Sequence, residues 1–273
     1  MNLEGILIHK TAYRDRDIIG RVLLRSGKVV DLYFYGGRGG GKFQKGSILE
    51  LGYMLKITLA PKRKKGVQAM EIAKEWSLIW EAKNIRKNFH AFYLLSFFFE
   101  LTGKIALDYD PEVEKQNDDQ VGLFKIISNS LFYLDADSTK KELNIFDHLF
   151  MMLGKLTHEL GILPNLDDCL YCQKDLSEFD LMKFEPQNGG FTCRECLLQA
   201  DQSIADNKNL FNDLKASHDF RKTFKYALSL KYTEITNIED ATRGSCDALL
   251  NYFCYQFSYQ KTDFKSWTLL IAL

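Results

Sequence analysis

No run of residues in this chain is long and apolar enough to suggest a bilayer span. The longest greasy stretch, Ala91 to Phe99, is interrupted by Ser96 and stops at Glu100, well short of the roughly 18 apolar residues a span needs. Histidine is scarce, five in 273 residues, and the sequence places no Ser/His/Asp set or carboxylate pair together. The usual signatures of nucleophilic and acid–base catalysis are therefore missing. His158-Glu159 begins like a zinc-protease helix, but position 162 is Ile where the second histidine would stand, so the pair reads as exposed helix surface. A zinc deaminase would carry His-x-Glu ahead of its cysteines, and that is absent too. The opening Met1-Asn2-Leu3-Glu4-Gly5 lacks a basic segment leading into an apolar one, which sets the expectation of no secretory signal and a reducing, cytoplasmic setting. Internal repeats are absent, as is low-complexity sequence beyond one glycine loop.

What is present is divided unevenly. Net charge is zero overall, yet residues 1–87 hold eighteen Lys/Arg against eight Asp/Glu, or +10, leaving −10 on the remainder. That split suggests a leading segment that meets a polyanion, nucleic acid being the usual one, rather than a merely solvated basic face. Hydrophobic content of 46% and 273 residues allow two domains, each with its own core.

The first eighty residues carry the period of two that marks strands. Leu49, Leu51, Tyr53, Leu55, Ile57 and Leu59 alternate with polar or small positions and predict one long strand. On 28–35, Val30, Leu32 and Phe34 turn inward while Tyr33 and Tyr35 turn outward beside Asp31. On 17–25, Arg21 and Arg25 lie opposite Val22 and Leu24. With 3–10 and 67–78 this makes about five strands, the size of a small OB-type barrel. After Trp80 the period becomes helical. Phe89, Phe92, Leu95 and Phe99 form one stripe with Gly103 as its C-cap. A weaker helix covers 121–134, and a clear one covers 142–160, ended by Gly161 and Pro164. Helices resume at 220–230 and 241–259. The fold class expected is α+β multidomain: an N-terminal OB-fold β-barrel over 1–80, then an all-helical domain over 81–273 carrying a zinc-ribbon-like insert at about 166–198.

Four cysteines define that insert. Cys169-Leu-Tyr-Cys172 and Cys193-Arg-Glu-Cys196 stand twenty residues apart, and two Cys-x-x-Cys knuckles offer four thiolates to one tetrahedral ion, expected to be zinc. Pro186 and Gly189-Gly190 let the intervening segment fold back as a hairpin. Four protein ligands leave no open position, so the ion organises structure. Disulfides would want an oxidising compartment, and a redox pair would want a single motif beside a βαβ unit. Cys246 and Cys254, in an apolar aromatic stretch, read as buried core thiols.

The loop from Gly36 to Lys42 satisfies the first seven positions of a nucleotide-binding P-loop, but Phe43 replaces the magnesium-binding hydroxyl and a strand follows where a helix should begin. A nucleotide-hydrolysing enzyme is therefore the weaker reading. OB-type barrels bind single strands with a cationic groove and aromatic platforms. Candidate DNA contacts are Arg14, Arg16, Arg21, Arg25, Tyr33, Tyr35, Arg38, Lys42, Lys45, Lys62, Arg63, Lys64 and Lys65. The tyrosines could instead cover the helical domain, and an RNA-binding factor built on the same parts is a further alternative.

The order of parts resembles the RecO family of bacterial recombination mediators. The residues that carry the resemblance are Glu4-Gly5-Ile6-Leu7-Ile8, Tyr13-Arg14-Asp15, the exit Gly161-Ile-Leu-Pro164, both knuckles, and Gly189-Gly190-Phe191 ahead of the second pair. The loop after the third strand departs from the family, being richer in glycine and poorer in arginine. The resemblance implies a non-enzymatic, nucleoid-associated role in recombinational repair. Such proteins bind single- and double-stranded DNA, anneal complementary strands, engage the C-terminal tail of single-strand DNA-binding protein, and work with RecR to load RecA. It also implies that Cys169, Cys172, Cys193 and Cys196 hold zinc. For the acidic partner tail, Arg221, Lys222 and Lys225 beside Phe220, Phe224 and Leu228 are the expected surface.

Overall fold

The two-residue alternation resolves into five strands: β1 (Asn2–Tyr13), β2 (Asp17–Leu24), β3 (Val29–Phe34), β4 (Met54–Leu59) and β5 (Glu71–Trp80). The computed structural model describes residues 1–39, 48–61, 70–110, 122–200, 208–238 and 241–272. In it the strands close into a barrel in the order β1-β2-β3-β5-β4. The first three form an antiparallel meander, and β4 is antiparallel to both β1 and β5. Closure comes from a parallel pairing of β3 with β5 through Leu32↔Glu71, Tyr33↔Ile72 and Phe34↔Ala73. This is the OB-type architecture expected from the sequence.

Gly5 makes the closure possible. It pairs with Leu24 of β2 on one side and Leu55 of β4 on the other, and a Cβ there would lie 2.4 Å from the Leu23 carbonyl oxygen. The inward residues Leu7, Val22, Leu24, Val30, Leu32, Phe34, Leu55, Ile57 and Trp76 fill the interior, with Phe34 and Trp76 edge to face at 5.2 Å. The long strand expected over 49–59 is shorter: only Met54–Leu59 pair as β4. Gly52, with φ +84, breaks the run in a turn, although Leu49 stays buried in the same core.

Beyond the barrel lie α1 (Phe89–Ile105) and α2 (Gly122–Asp137). The buried side of α1 is Ala91, Leu94, Leu95, Phe97, Phe98, Phe99, Leu101 and Thr102. Phe89 and Phe92 are exposed while Leu95 and Phe99 are buried, so only the second half of the stripe read from the sequence lies on the packed face. The helix also runs through Gly103 to a cap at Ala106. The chain divides into two compact units, Met1–Leu143 with Thr268–Leu273, and Asn144–Trp267. The sequence boundary at residue 80 marks the change of period, whereas the first unit continues through α2. There Asp135 accepts from the Asn84 and Ile85 amides at 2.7 and 3.1 Å. Val29 also donates to the Leu107 carbonyl at 2.8 Å while the Tyr109 amide donates to that of Val29 at 2.7 Å.

The second unit holds α3 (Ile145–Glu159), a hairpin of β6 (Met182–Glu185) and β7 (Gly190–Cys193), α4 (Arg194–Ala200), α5 (Lys208–Ser229) and α6 (Arg243–Gln256); α7 (Lys265–Ile271) follows. α3 ends as expected at Gly161, with φ +68. The Gly161 amide reaches the His158 carbonyl and the Ile162 amide that of Thr157, the paired bonds of a Schellman cap. Cys246 and Cys254 are buried thiols, and His158 and Glu159 are exposed.

Candidate nucleic-acid interface and metal centre

Residues directly opposite each other in an antiparallel ladder share a face, so the registers Tyr13↔Asp17, Ile19↔Tyr33 and Arg21↔Asp31 define one outer surface of β1, β2 and β3. At its hairpin end three rings meet: Tyr33 lies 5.5 Å from Tyr13 and 4.4 Å from Tyr35, centroid to centroid. The Tyr33 hydroxyl donates to one oxygen of Asp17 at 2.5 Å, and the Gly36 amide donates to the other at 2.8 Å. Asp17 is held below its ordinary pKa, first by the Tyr33 hydrogen bond and then by the Gly36 amide. The same hydrogen bond pushes Tyr33 up to about 12.

Cations surround the rings. Arg14 occupies the hairpin tip with φ +51, its guanidinium 5.3 Å from the Tyr13 centroid. Exposed Arg16 and Arg38 are joined through the Arg38 amide and the Arg16 carbonyl at 3.0 Å. The structure thus brings together Arg14, Arg16, Arg38, Tyr33 and Tyr35, and adds Tyr13 and Asp17, to which the sequence had given no role. Arg21 and Arg25 are engaged elsewhere: Arg21 pairs with Asp108 at 2.8 Å and Asp31 at 3.6 Å, and Arg25 pairs with Glu4 at 2.8 Å. Lys42, Lys45, Lys62, Arg63, Lys64 and Lys65 lie outside the described residues. The second half of the glycine loop, from residue 40, also lies outside the described residues, and the next strand or α-helix described is β4.

In the second unit the hairpin and α4 deliver Cys193 and Cys196, while a tight turn delivers Cys169 and Cys172. Asn165 opens that turn by accepting from the amides of Asp167 and Asp168. The turn closes through Cys169 donating to Lys174 at 2.9 Å and Gln173, with φ +57, donating to Cys169 at 3.0 Å. Gly190 lets the hairpin approach: a Cβ there would stand 2.7 Å from Leu170 Cδ2. The four Sγ atoms all lie within 4.8 Å of one another, with Cys169–Cys196 at 3.9 Å and Cys172–Cys193 at 3.8 Å. A tetrahedral ion with metal–sulfur bonds of about 2.3 Å spaces its sulfurs about 3.8 Å apart, so the donor set fits a metal ion. Burial works to raise the Cys169 thiol, but the amides of Cys193, Cys172 and Tyr171 outweigh it and bring it down to about 6. Burial raises Cys193 and Cys196, and at Cys196 the neighbouring sulfurs add to the rise.

The expected partner-tail surface is corrected by the packing. Arg221 is buried, donating to the Leu166 carbonyl at 2.5 Å, and burial lowers its pKa. Lys225 pairs with Asp167 at 2.6 Å, while Lys222 alone of the three is exposed without a described bond. Phe220 and Phe224 lie in the core with Phe150, Phe184 and Phe191. Arg221 and Lys225 therefore brace the entry to the cysteine turn, and the aromatic pair is not presented to solvent.

An OB-type barrel followed by a helical body with a four-cysteine turn defines the architecture, the tyrosine face lying in the first compact unit and the four cysteines in the second. The family model described as "Recombination protein O C terminal" matches residues 86–267, and the chain belongs to that family. It is 27% identical over 197 residues to "DNA repair protein RecO" of Thermoanaerobacter sp. (strain X514), covering 70% of this chain and 67% of that protein. It is 28% identical over 124 residues to the protein of the same name from Myxococcus xanthus (strain DK1622), covering 45% of each. Among the described residues no helix is long and apolar enough to cross a membrane.

Proposed function

We propose that this chain acts in DNA repair as a recombination mediator that binds DNA, anneals complementary strands and performs no catalysis of its own. The observation that carries the reading is the clustering of Tyr13, Tyr33 and Tyr35 on one barrel face, with Arg14 over the Tyr13 ring and exposed Arg16 and Arg38 in the adjoining turns. Arginines neutralise phosphates and release condensed counterions, while open rings accept bases of any sequence. Support also comes from the relatives' names and from the basic first third of the chain. The family resemblance extends the reading to single- and double-stranded DNA, RecR, the tail of single-strand DNA-binding protein and, through them, RecA.

In the same reading Cys169, Cys172, Cys193 and Cys196 hold zinc. When bound, the ion neutralises thiolates and cross-links the turn to the hairpin, a structural contribution without reaction chemistry. The test is annealing of complementary oligonucleotides coated with single-strand binding protein, run across a salt series alongside metal analysis. Acceleration of annealing, affinity falling steeply with salt, and one zinc per chain are expected. Affinity indifferent to salt, or no acceleration, overturns the reading.

A further inference from the structure

The three rings of the barrel face differ in what they can offer a ligand. Tyr33, in the middle, is half-buried, and its hydroxyl is committed to Asp17, which is itself fixed by the Gly36 amide. Its neighbours are open, with Tyr13 40% and Tyr35 56% exposed. None of the three is needed to fill the barrel, whose interior is supplied by the alternate residues Leu32 and Phe34. The result is a rigid aromatic ladder backed by one anchored ring.

Asp17 is the informative neighbour. A surface built only to grip phosphates would not hold a carboxylate, kept ionised by two hydrogen bonds, against its central ring. The group that fits the ladder is flat, polarisable and uncharged, whereas the phosphates of the same strand belong with Arg14, Arg16 and Arg38 at the hairpin tip and glycine loop. Unpaired bases have free faces that stack on aromatic side chains. In a duplex those faces are already covered by neighbouring pairs, so a duplex engages the cations and leaves the ladder empty.

We propose that Tyr13, Tyr33 and Tyr35 form the element by which this chain distinguishes unpaired from paired DNA, with Tyr35 and Tyr13 as stacking platforms and Asp17 as the positioning residue. This rests on the DNA-binding reading above and adds a strand-type selector to it. The test measures affinity of the full chain, by fluorescence anisotropy, for a single-stranded oligonucleotide, an abasic strand of equal length and charge, and a duplex. The unmodified strand should bind about tenfold more tightly than the abasic one, in line with stacking on an aromatic platform. Tyr35→Ala should shrink that preference several-fold, Tyr13 remaining, and cost single-strand affinity more than duplex affinity, and Tyr35→Trp should retain the preference. Equal affinity of the natural chain for normal and abasic strands overturns the selector and needs no variant to fold. So does an equal loss of single-strand and duplex binding in Tyr35→Ala. Both outcomes leave DNA binding itself standing, whereas a natural chain that binds none of the three removes the underlying reading as well.

Discussion

At the scale of single residues, the Asp17–Tyr33 bond sets an acid–base signature. The hydrogen bond to Asp17, followed by burial, lifts Tyr33 from its ordinary 10 to about 12. Its contribution to folding is present below pH 10 and is lost as pH rises through about 12. Asp17 behaves oppositely: its lowered pKa contributes stability above the ordinary carboxylate value and loses it as pH falls through the folded one. Resonances of ring-labelled tyrosine should show one residue titrating near pH 12, and Asp17→Ala should return it towards 10. Gly5→Ala should destabilise the barrel by about 3 kcal/mol, the order expected when a methyl group is forced against fixed backbone; denaturant unfolding measures it. The outward direction of Tyr33 and Tyr35 could be read from alternation, because a strand's period fixes which side each residue takes. The role of Asp17 could not, since it depends on a bond formed across the hairpin register. The pairing of Arg21 with Asp108 was equally hidden, the two being 87 positions apart in sequence.

At the scale of elements, the cysteine turn was the most legible part, because metal geometry restricts spacing more tightly than packing restricts composition. Helix faces were less so: with apolar residues on nearly every side of α1, periodicity did not decide between Phe89 and Ala91, and packing did. The surface proposed at Arg221 failed for a related reason, since a cation beside aromatics reads the same whether it faces water or a buried carbonyl. Structural zinc in small modules contributes about 10 to 16 kcal/mol of apparent binding free energy. Chelation or Cys193→Ser should therefore abolish amide protection across 165–198 in hydrogen exchange, with protection of β1 to β3 unchanged. Gly161→Ala should cost about 1 kcal/mol, because the left-handed cap position penalises any side chain.

Over the whole molecule, the charge division was visible in the sequence, but the extent of the first compact unit was not. A change from strand to helix period marks where secondary structure changes, not where contacts thin out. A fragment ending at residue 80 lacks Asp135 and the 107–109 segment that bonds to Val29. It should melt at a lower temperature than one ending at 143, as calorimetry would show. Arg14→Ala and Arg16→Ala should each reduce the slope of log affinity against log salt by about 0.7 to 0.9. Arg21→Ala and Arg25→Ala should change it less, their charges being already matched by carboxylates.

The double pairing of β1 also has a kinetic meaning. Asn2 to Ile6 join β4 at Thr58 to Met54, so during synthesis this part of β1 keeps one hydrogen-bonding edge vacant until residues beyond 58 have emerged. At translation speeds of about 5 to 20 residues per second that is an interval of seconds, in which a nascent chain offers a sticky ribbon to its neighbours on the same message. Slowing elongation between codons 24 and 54 should therefore raise the aggregated fraction, and hastening it should improve yield.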